Sequence, residues 1–185
     1  LSLTLLRFSG AHARPYGSPH RPYSSNTHFP HQNFVRSPRR NTLVQTRQIY
    51  SESLKDIVQY SLFIPPGYTS SLQQDFPVVY WLHGSNGSGQ SLEPLASKFN
   101  DAMSQGLMPE SIIVFPESKR LSMWVNSKDN SYPSEDILIN DLMPHVESKY
   151  RISDSRNDHY IAGFSMGGYG AARLGLKYSD HFGHI

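Results

Sequence analysis

The sequence predicts an α/β fold, a mostly parallel sheet with helices on both faces, from three observations. First, three short runs are apolar throughout: "FPVVYWLHG" (Phe76 to Gly84), "SIIVFP" (Ser111 to Pro116) and "HYIAGF" (His159 to Phe164). Continuous hydrophobicity over so few residues is the mark of a strand buried on both faces. Second, helix-period segments stand between and after these runs, and strands alternating with helices mean βαβ units around a parallel sheet. Third, the 185 residues form one ordinary apolar composition with no internal repeat and no cysteine, enough for a single core and without a disulfide framework or a thiolate metal site.

Charge divides the chain. Seven arginines (Arg7, Arg14, Arg21, Arg36, Arg39, Arg40 and Arg47) precede the first acidic residue, Glu52, and from there on ten basic residues face fifteen acidic ones. Residues 1 to 43 include "AHARPYGSPHRPYSSNTHFPHQNFVRSPRR", with neither helical nor strand periodicity. Such a segment buries too little apolar surface to offset its ordering entropy and is expected to be a disordered basic leader. Three readings of it stay open: a bland tail, a targeting segment, or a nucleic-acid-binding arm. Residues 44 to 185 are the expected folded domain. No apolar run reaches the ~20 residues that a membrane-spanning helix needs, and no nucleic-acid partner is expected for the domain. Compartment and oligomeric state are left open.

The elements of the domain follow in order. "TLVQTRQIYSESLKDIVQYSLFIPPGY" reads as two extended segments forming an antiparallel edge, with Val58, Tyr60, Leu62 and Ile64 alternating against Ile57, Gln59, Ser61 and Phe63 until Pro65-Pro66-Gly67 breaks the strand. The Phe76–Gly84 strand comes next. "SLEPLASKFNDAMSQG" predicts a helix closed by Gly106. After the second buried strand, "YPSEDILINDLMPHVESKYR" predicts a helix with Glu135 and Asp136 in its first turn and Ile139, Leu142, Met143, Val146 and Tyr150 on one face. The third strand runs into "MGGYGAARLGLKYS", a third helix.

That last junction carries the chemistry. Gly163-Phe164-Ser165-Met166-Gly167 matches G-x-S-x-G, and a strand enters it while a helix leaves it. In such an elbow the serine is forced into strained backbone geometry, with its Oγ above the sheet. Strand and helix then approach closely, so the positions two before and two after the serine must be small, a need that Gly163 and Gly167 meet. The helix beginning near Met166 aims free N–H groups and a positive dipole end at the site, which suits a developing oxyanion. The alternatives are a serine that merely caps the helix and a phosphate-binding turn. The glycines lack the order the second requires. A second donor is expected from "WLHGSNGSG", where His83-Gly84-Ser85-Asn86-Gly87 follows the first buried strand.

The blocks "FIPPGY", "FPVVYWLHGSNGSG", "SIIVFPES", "INDLMPHVESKYR" and "IAGFSMGGYGAARLGLKYSDHFG" occur in the order of the esterase D family of α/β-hydrolases, also called the putative esterase family, and residues 45 to 185 resemble it. The family includes S-formylglutathione hydrolases, feruloyl esterases and mycolyltransferases. The resemblance implies Ser165 as nucleophile and the N–H groups of Ser85 and Met166 as the oxyanion hole. It implies a loop around Trp124 that lines the acyl or leaving-group side, with His83 nearby. The substrate would be a small-molecule carboxylic ester or thioester, and neither a metal nor a cofactor takes part.

One part of the pattern is missing. The triad order is serine, acid, histidine, yet only Asp180, His181 and His184 follow Ser165 with suitable chemistry. They lie past a helix that carries its far end about 20 Å from the site at 1.5 Å per residue. The expectation is therefore an N-terminal part of the hydrolase domain, stopping as the next strand begins, without triad acid or base and inactive by itself. His83, the other histidine near the site, is expected to orient its loop by a hydrogen bond. Acyl transfer to an alcohol, and a non-catalytic hydrolase-like binding protein, are the competing readings.

Overall fold

The computed structural model describes residues 43–86 and 92–185, so the basic leader lies outside the described residues apart from Leu43. Five strands form one sheet: β1 (Val44–Ser51), β2 (Asp56–Phe63), β3 (Val78–Leu82), β4 (Ile112–Pro116) and β5 (His159–Gly163). Their spatial order is β1-β2-β4-β3-β5. Only β2 runs against the others: it pairs antiparallel with both β1 and β4, while β4, β3 and β5 are parallel neighbours. The antiparallel edge and the mostly parallel body are those the sequence predicts. The first buried strand is shorter than its apolar run, because Pro77 has no N–H to give the ladder.

Each parallel strand is covered on both sides. Val79, Ile113, Phe63 and Phe115 pack with Ala96 and Met103 of helix α1 (Glu93–Ser104) in one cluster. Tyr80, Leu82, Ile112 and Val114 face the opposite layer, with Met143, Val146, Ala171 and Leu174. Helix α1 ends as a Schellman motif. Gly106, at φ 69°, donates its N–H to Met103 O at 3.0 Å, and Leu107 N–H reaches Ala102 O at 2.9 Å.

The predicted single helix over residues 134–149 is wound in three parts: α2 (Ser134–Asp136), a π segment (Ile137–Leu142) and α3 (Met143–Lys149). Pro144 accounts for the widening, since its missing N–H leaves a gap in the α ladder. The N–H of Met143 instead reaches back five residues to Leu138 O. The wider turn shifts the apolar face, so that Ile137 and Leu138 are buried while Ile139 and Tyr150 are only partly so. Asp141 faces outward from the π segment to accept the Ser51 hydroxyl at 2.5 Å and the Ser53 N–H at 3.1 Å, which ties the β1–β2 turn to this helix.

Glu135 does more than complement a helix dipole. Its side chain is 4% exposed and meets three donors from α4 (Met166–Lys177) and the residue after it: Arg173 at 2.6 Å, Lys177 at 2.5 Å and the Tyr178 hydroxyl at 2.7 Å. Burial pushes the carboxyl up, but the bonds from Lys177, Tyr178 and Arg173 together outweigh it and hold the group below its ordinary value. A carboxyl lowered in the folded state stabilises above its unfolded pKa, and that stabilisation is lost as pH falls through the folded one. Glu135→Gln is expected to cost about 1–3 kcal/mol in urea denaturation at neutral pH. The gap between variant and parent should close as the pH is lowered through and below the ordinary glutamate range.

Candidate active site

Strands β3 and β5 pair in register from Val78 and His159 to Leu82 and Gly163, so both end at the same level. The chain segments that leave them, His83-Gly84-Ser85 and Phe164-Ser165, therefore run side by side over the C-terminal edge of the sheet, where ligands of open α/β sheets bind. Phe164 N–H still donates to Leu82 O at 3.1 Å. One residue later the chain reverses.

Ser165 makes that reversal at φ 54° and ψ −114°. The positive φ is unusual for a side chain with a Cβ, and the ψ falls outside the left-handed helical well, so the residue is strained by about 1–3 kcal/mol. Helix α4 starts immediately after it. Ser165 O accepts the Tyr169 N–H at 3.1 Å, and Gly167 N–H bonds Phe164 O at 2.8 Å. The Ser165 hydroxyl makes no capping bond to the helix and is exposed to solvent. The capping alternative from the sequence is thus not the one adopted. Met166 is buried, 4% exposed, and anchors the first turn.

The turn is possible because two Cβ atoms are absent. A Cβ on Gly167 would fall on the Leu82 carbonyl and lie 2.8 Å from His83 O, and one on Gly163 would lie 2.7 Å from Leu82 O. Gly84 is close as well: its Cβ would sit 3.2 Å from Phe164 O and 3.5 Å from the Ser165 Cβ. The backbone on either side of Gly84, which includes half-buried Ser85, thus passes next to Ser165. Gly87, the last residue of the predicted oxyanion loop, lies outside the described residues.

His83 is committed at both ring nitrogens. Its Nε2 accepts the Ser118 N–H at 3.1 Å, so the proton sits on Nδ1 and is donated to Gly84 O at 2.8 Å. The ring has no lone pair left for Ser165. Through these two bonds the His83 ring orients its loop. Trp124 corrects the other expectation. Its side chain is only 1% exposed, stacked edge-on against His83 with ring centroids 5.0 Å apart, and its Nε1 donates to His83 O at 3.2 Å. A Cβ on Gly170 of α4 would meet the Trp124 ring at 2.7 Å. Trp124 therefore braces the loop against the turn from behind, and its neighbours, rather than its own ring, face solvent.

The remaining described histidines stand elsewhere. His184 O accepts the Ile161 N–H at 3.1 Å and bridges in parallel to Tyr160, near the start of β5, at the opposite edge from Ser165. His181 and Asp180 border a recess with Glu147 and His159 at that same edge. His145 lies against Tyr60. Among the described residues, no side chain hydrogen-bonds the Ser165 hydroxyl, and no group of three or more carboxylate and imidazole side chains is placed to hold a metal ion. No described helix is long and apolar enough to cross a membrane. The bonds from Ser118 and Trp124 to His83 escaped the sequence reading, whose one clue was a tryptophan in an otherwise polar loop.

Known proteins resemble this chain in sequence and in fold. Residues 51–185 match the family described as "Putative esterase". An acetyl esterase of Caldicellulosiruptor saccharolyticus is 27% identical over 115 residues, 59% of this chain and 39% of the relative. An esterase of Mycobacterium tuberculosis is 29% identical over 126 residues, 66% of this chain and 26% of the relative. A solved ferulic acid esterase superposes with a TM-score of 0.67 at 27% identity, covering 75% of this chain and 56% of its own. The chain thus spans well under two thirds of the length of each of these relatives.

The glycine geometry predicts an ordered series. Gly167→Ala drives a methyl into the Leu82 carbonyl and is expected to cost more than about 3 kcal/mol in chemical denaturation. Gly84→Ala meets the Phe164 ring and the Phe164 carbonyl, both at 3.2 Å, contacts relieved by a shift of a few tenths of an ångström, and should cost about 1 kcal/mol, less than Gly167→Ala.

Proposed function

Given that the chain belongs to the putative esterase family, we propose that Ser165 is the nucleophile of a carboxylic-ester hydrolase that works through an acyl-serine intermediate. The observation that carries this reading is the strained Ser165 backbone at φ 54°, which presents an unengaged hydroxyl between the start of α4 and the Gly84 loop. Strain of this kind persists only where the surroundings over-determine it, and it concentrates at functional sites.

The steps follow from that placement. A general base takes the proton from Ser165 Oγ as the oxygen attacks the ester carbonyl carbon. The carbonyl π electrons move onto oxygen, and the resulting oxyanion accepts hydrogen bonds from the N–H groups of Ser85 and Met166, with the positive end of α4 behind them. Collapse of the tetrahedral centre breaks the bond to the alcohol, which leaves with the proton returned by the base. Water then enters by the same route and releases the acid. Among the described histidines, His83 is committed at both nitrogens, His145 lies against Tyr60, and His159, His181 and His184 lie toward the opposite edge of the sheet, so none of them is assigned as that base. The substrate class is that in the relatives' names, esters of acetic or ferulic acid among them.

In the intact protein a fluorophosphonate probe is expected to label Ser165, and Ser165→Ala should abolish the labelling; a label that survives the substitution would refute the assignment. Ser85→Ala keeps the backbone donor and should leave turnover within a few-fold. Ser85→Pro removes it and should lower kcat by about 10²–10³. A folded Ser85→Pro enzyme with unchanged turnover would exclude this loop from the oxyanion hole.

A further inference from the structure

The loop from β4 to α2 borders an open cavity of about 500 Å³ at the same edge of the sheet as Ser165. Three cationic side chains line it, Lys119, Arg120 and Lys128, and no carboxylate does. Among the described residues, none of the three forms an ion pair. Lys119 Nζ instead lies 4.5 Å from the centre of the Tyr132 ring. The two acids of the loop stand beside the wall without lining it. Asp129 accepts the Ser131 N–H at 3.1 Å, and that bond, with hydroxyls of Ser131 and Ser127, lowers its carboxyl to about 2. Glu117 is near Tyr132, where it adds to burial in raising the phenol, but it does not line the cavity.

The loop is held rather than slack. Leu121, Met123, Trp124 and Asn130 all take positive φ without being glycine, a conformation that needs support from outside. Trp124 supplies it by its buried ring and its bond to His83 O. The Ser118 hydroxyl bonds Ser122 and Ser134, both at 2.9 Å, and Asn126 Oδ1 accepts the N–H groups of Glu135 at 3.0 Å and Asp136 at 3.2 Å, capping α2 from the loop. The polar groups of the wall are spent on this scaffold, and the three cations are left over. Like charges gathered around one concave space repel one another, and an entering anion relieves that repulsion.

We propose that this cavity is an anion subsite of the Ser165 centre, and that the ester the protein acts on carries a carboxylate on its acyl or its alcohol side. The proposal rests on the reading of Ser165 as nucleophile. Three chromogenic esters test it in the intact protein: neutral 4-nitrophenyl butyrate, 4-nitrophenyl hemisuccinate with the charge on the acyl side, and 3-carboxy-4-nitrophenyl butyrate with the charge on the leaving group. One of the charged esters is expected to exceed the neutral one in kcat/KM, and which one identifies the side. The combined variant Lys119→Gln, Arg120→Gln, Lys128→Gln should lower kcat/KM for that ester about tenfold, from three partly exposed pairings, while leaving the neutral ester within twofold. Raising the salt concentration should erode the same advantage in the parent protein and not in the variant. If neutral turnover depends on Ser165 but neither charged ester is favoured, or the advantage survives the triple substitution, the subsite is refuted and the nucleophile stands. If the neutral ester shows no turnover dependent on Ser165, the nucleophile reading fails and this proposal falls with it.

Discussion

The end of β3 and the start of α4 touch backbone to backbone, and most of the site is a consequence of that contact. With no Cβ at Gly163 or Gly167, the helix can begin directly over the Leu82 carbonyl. Because β3 and β5 share a register, the same contact brings the Gly84 loop against Ser165. The reversal is then so tight that Ser165 cannot relax to ordinary dihedrals. Packing around it supplies the energy: Met166, Ala171 and Leu174 bury the inner face of α4 in the larger core cluster, and the Glu135 ion cluster clamps its far half. Burial at roughly 25 cal/mol per Å² of apolar surface easily exceeds a strain of about 1–3 kcal/mol.

A second layer of contacts sets the loop geometry. His83 leaves β3 and is fixed at three points: Ser118 at Nε2, Gly84 at Nδ1 and Trp124 at the main-chain oxygen. Ser118 and Trp124 both belong to the segment after β4, and Trp124 also fills the space over Gly170 in α4. Three segments that follow three neighbouring parallel strands are therefore bolted together behind Ser165. This leaves the front of the site to the Gly84 loop and the start of α4. A histidine close to the serine in space is here a structural bolt, and its proximity alone says nothing about catalysis.

What the sequence made legible, and what it did not, follows the range of the interactions. The buried strands are readable because each is apolar over its whole length, which only a covered parallel sheet tolerates. The turn at Ser165 is readable because its steric demand is local and is written as glycines at fixed offsets. The π winding of residues 137–142 was missed, although Pro144 is a local cause, because a proline inside a helical pattern more often predicts a kink or an end. Glu135 looked like a dipole partner, and its donors Arg173, Lys177 and Tyr178 lie about forty residues away. The place of Trp124 was misjudged for the same reason. A tryptophan in a loop of serines, asparagines and lysines looks available to a ligand until the fold places Gly170 and His83 against it.

The account is tested most directly by the crystal structure of the protein after reaction with a small organophosphate. The phosphorus should be bonded to Ser165 Oγ, with its free oxygen within about 3 Å of the N–H groups of Ser85 and Met166. His83 Nε2 should still accept from Ser118. An adduct on another residue would contradict the central claim. So would a phosphoryl oxygen turned away from the Gly84 loop, or a His83 ring released from Ser118 to bond Ser165.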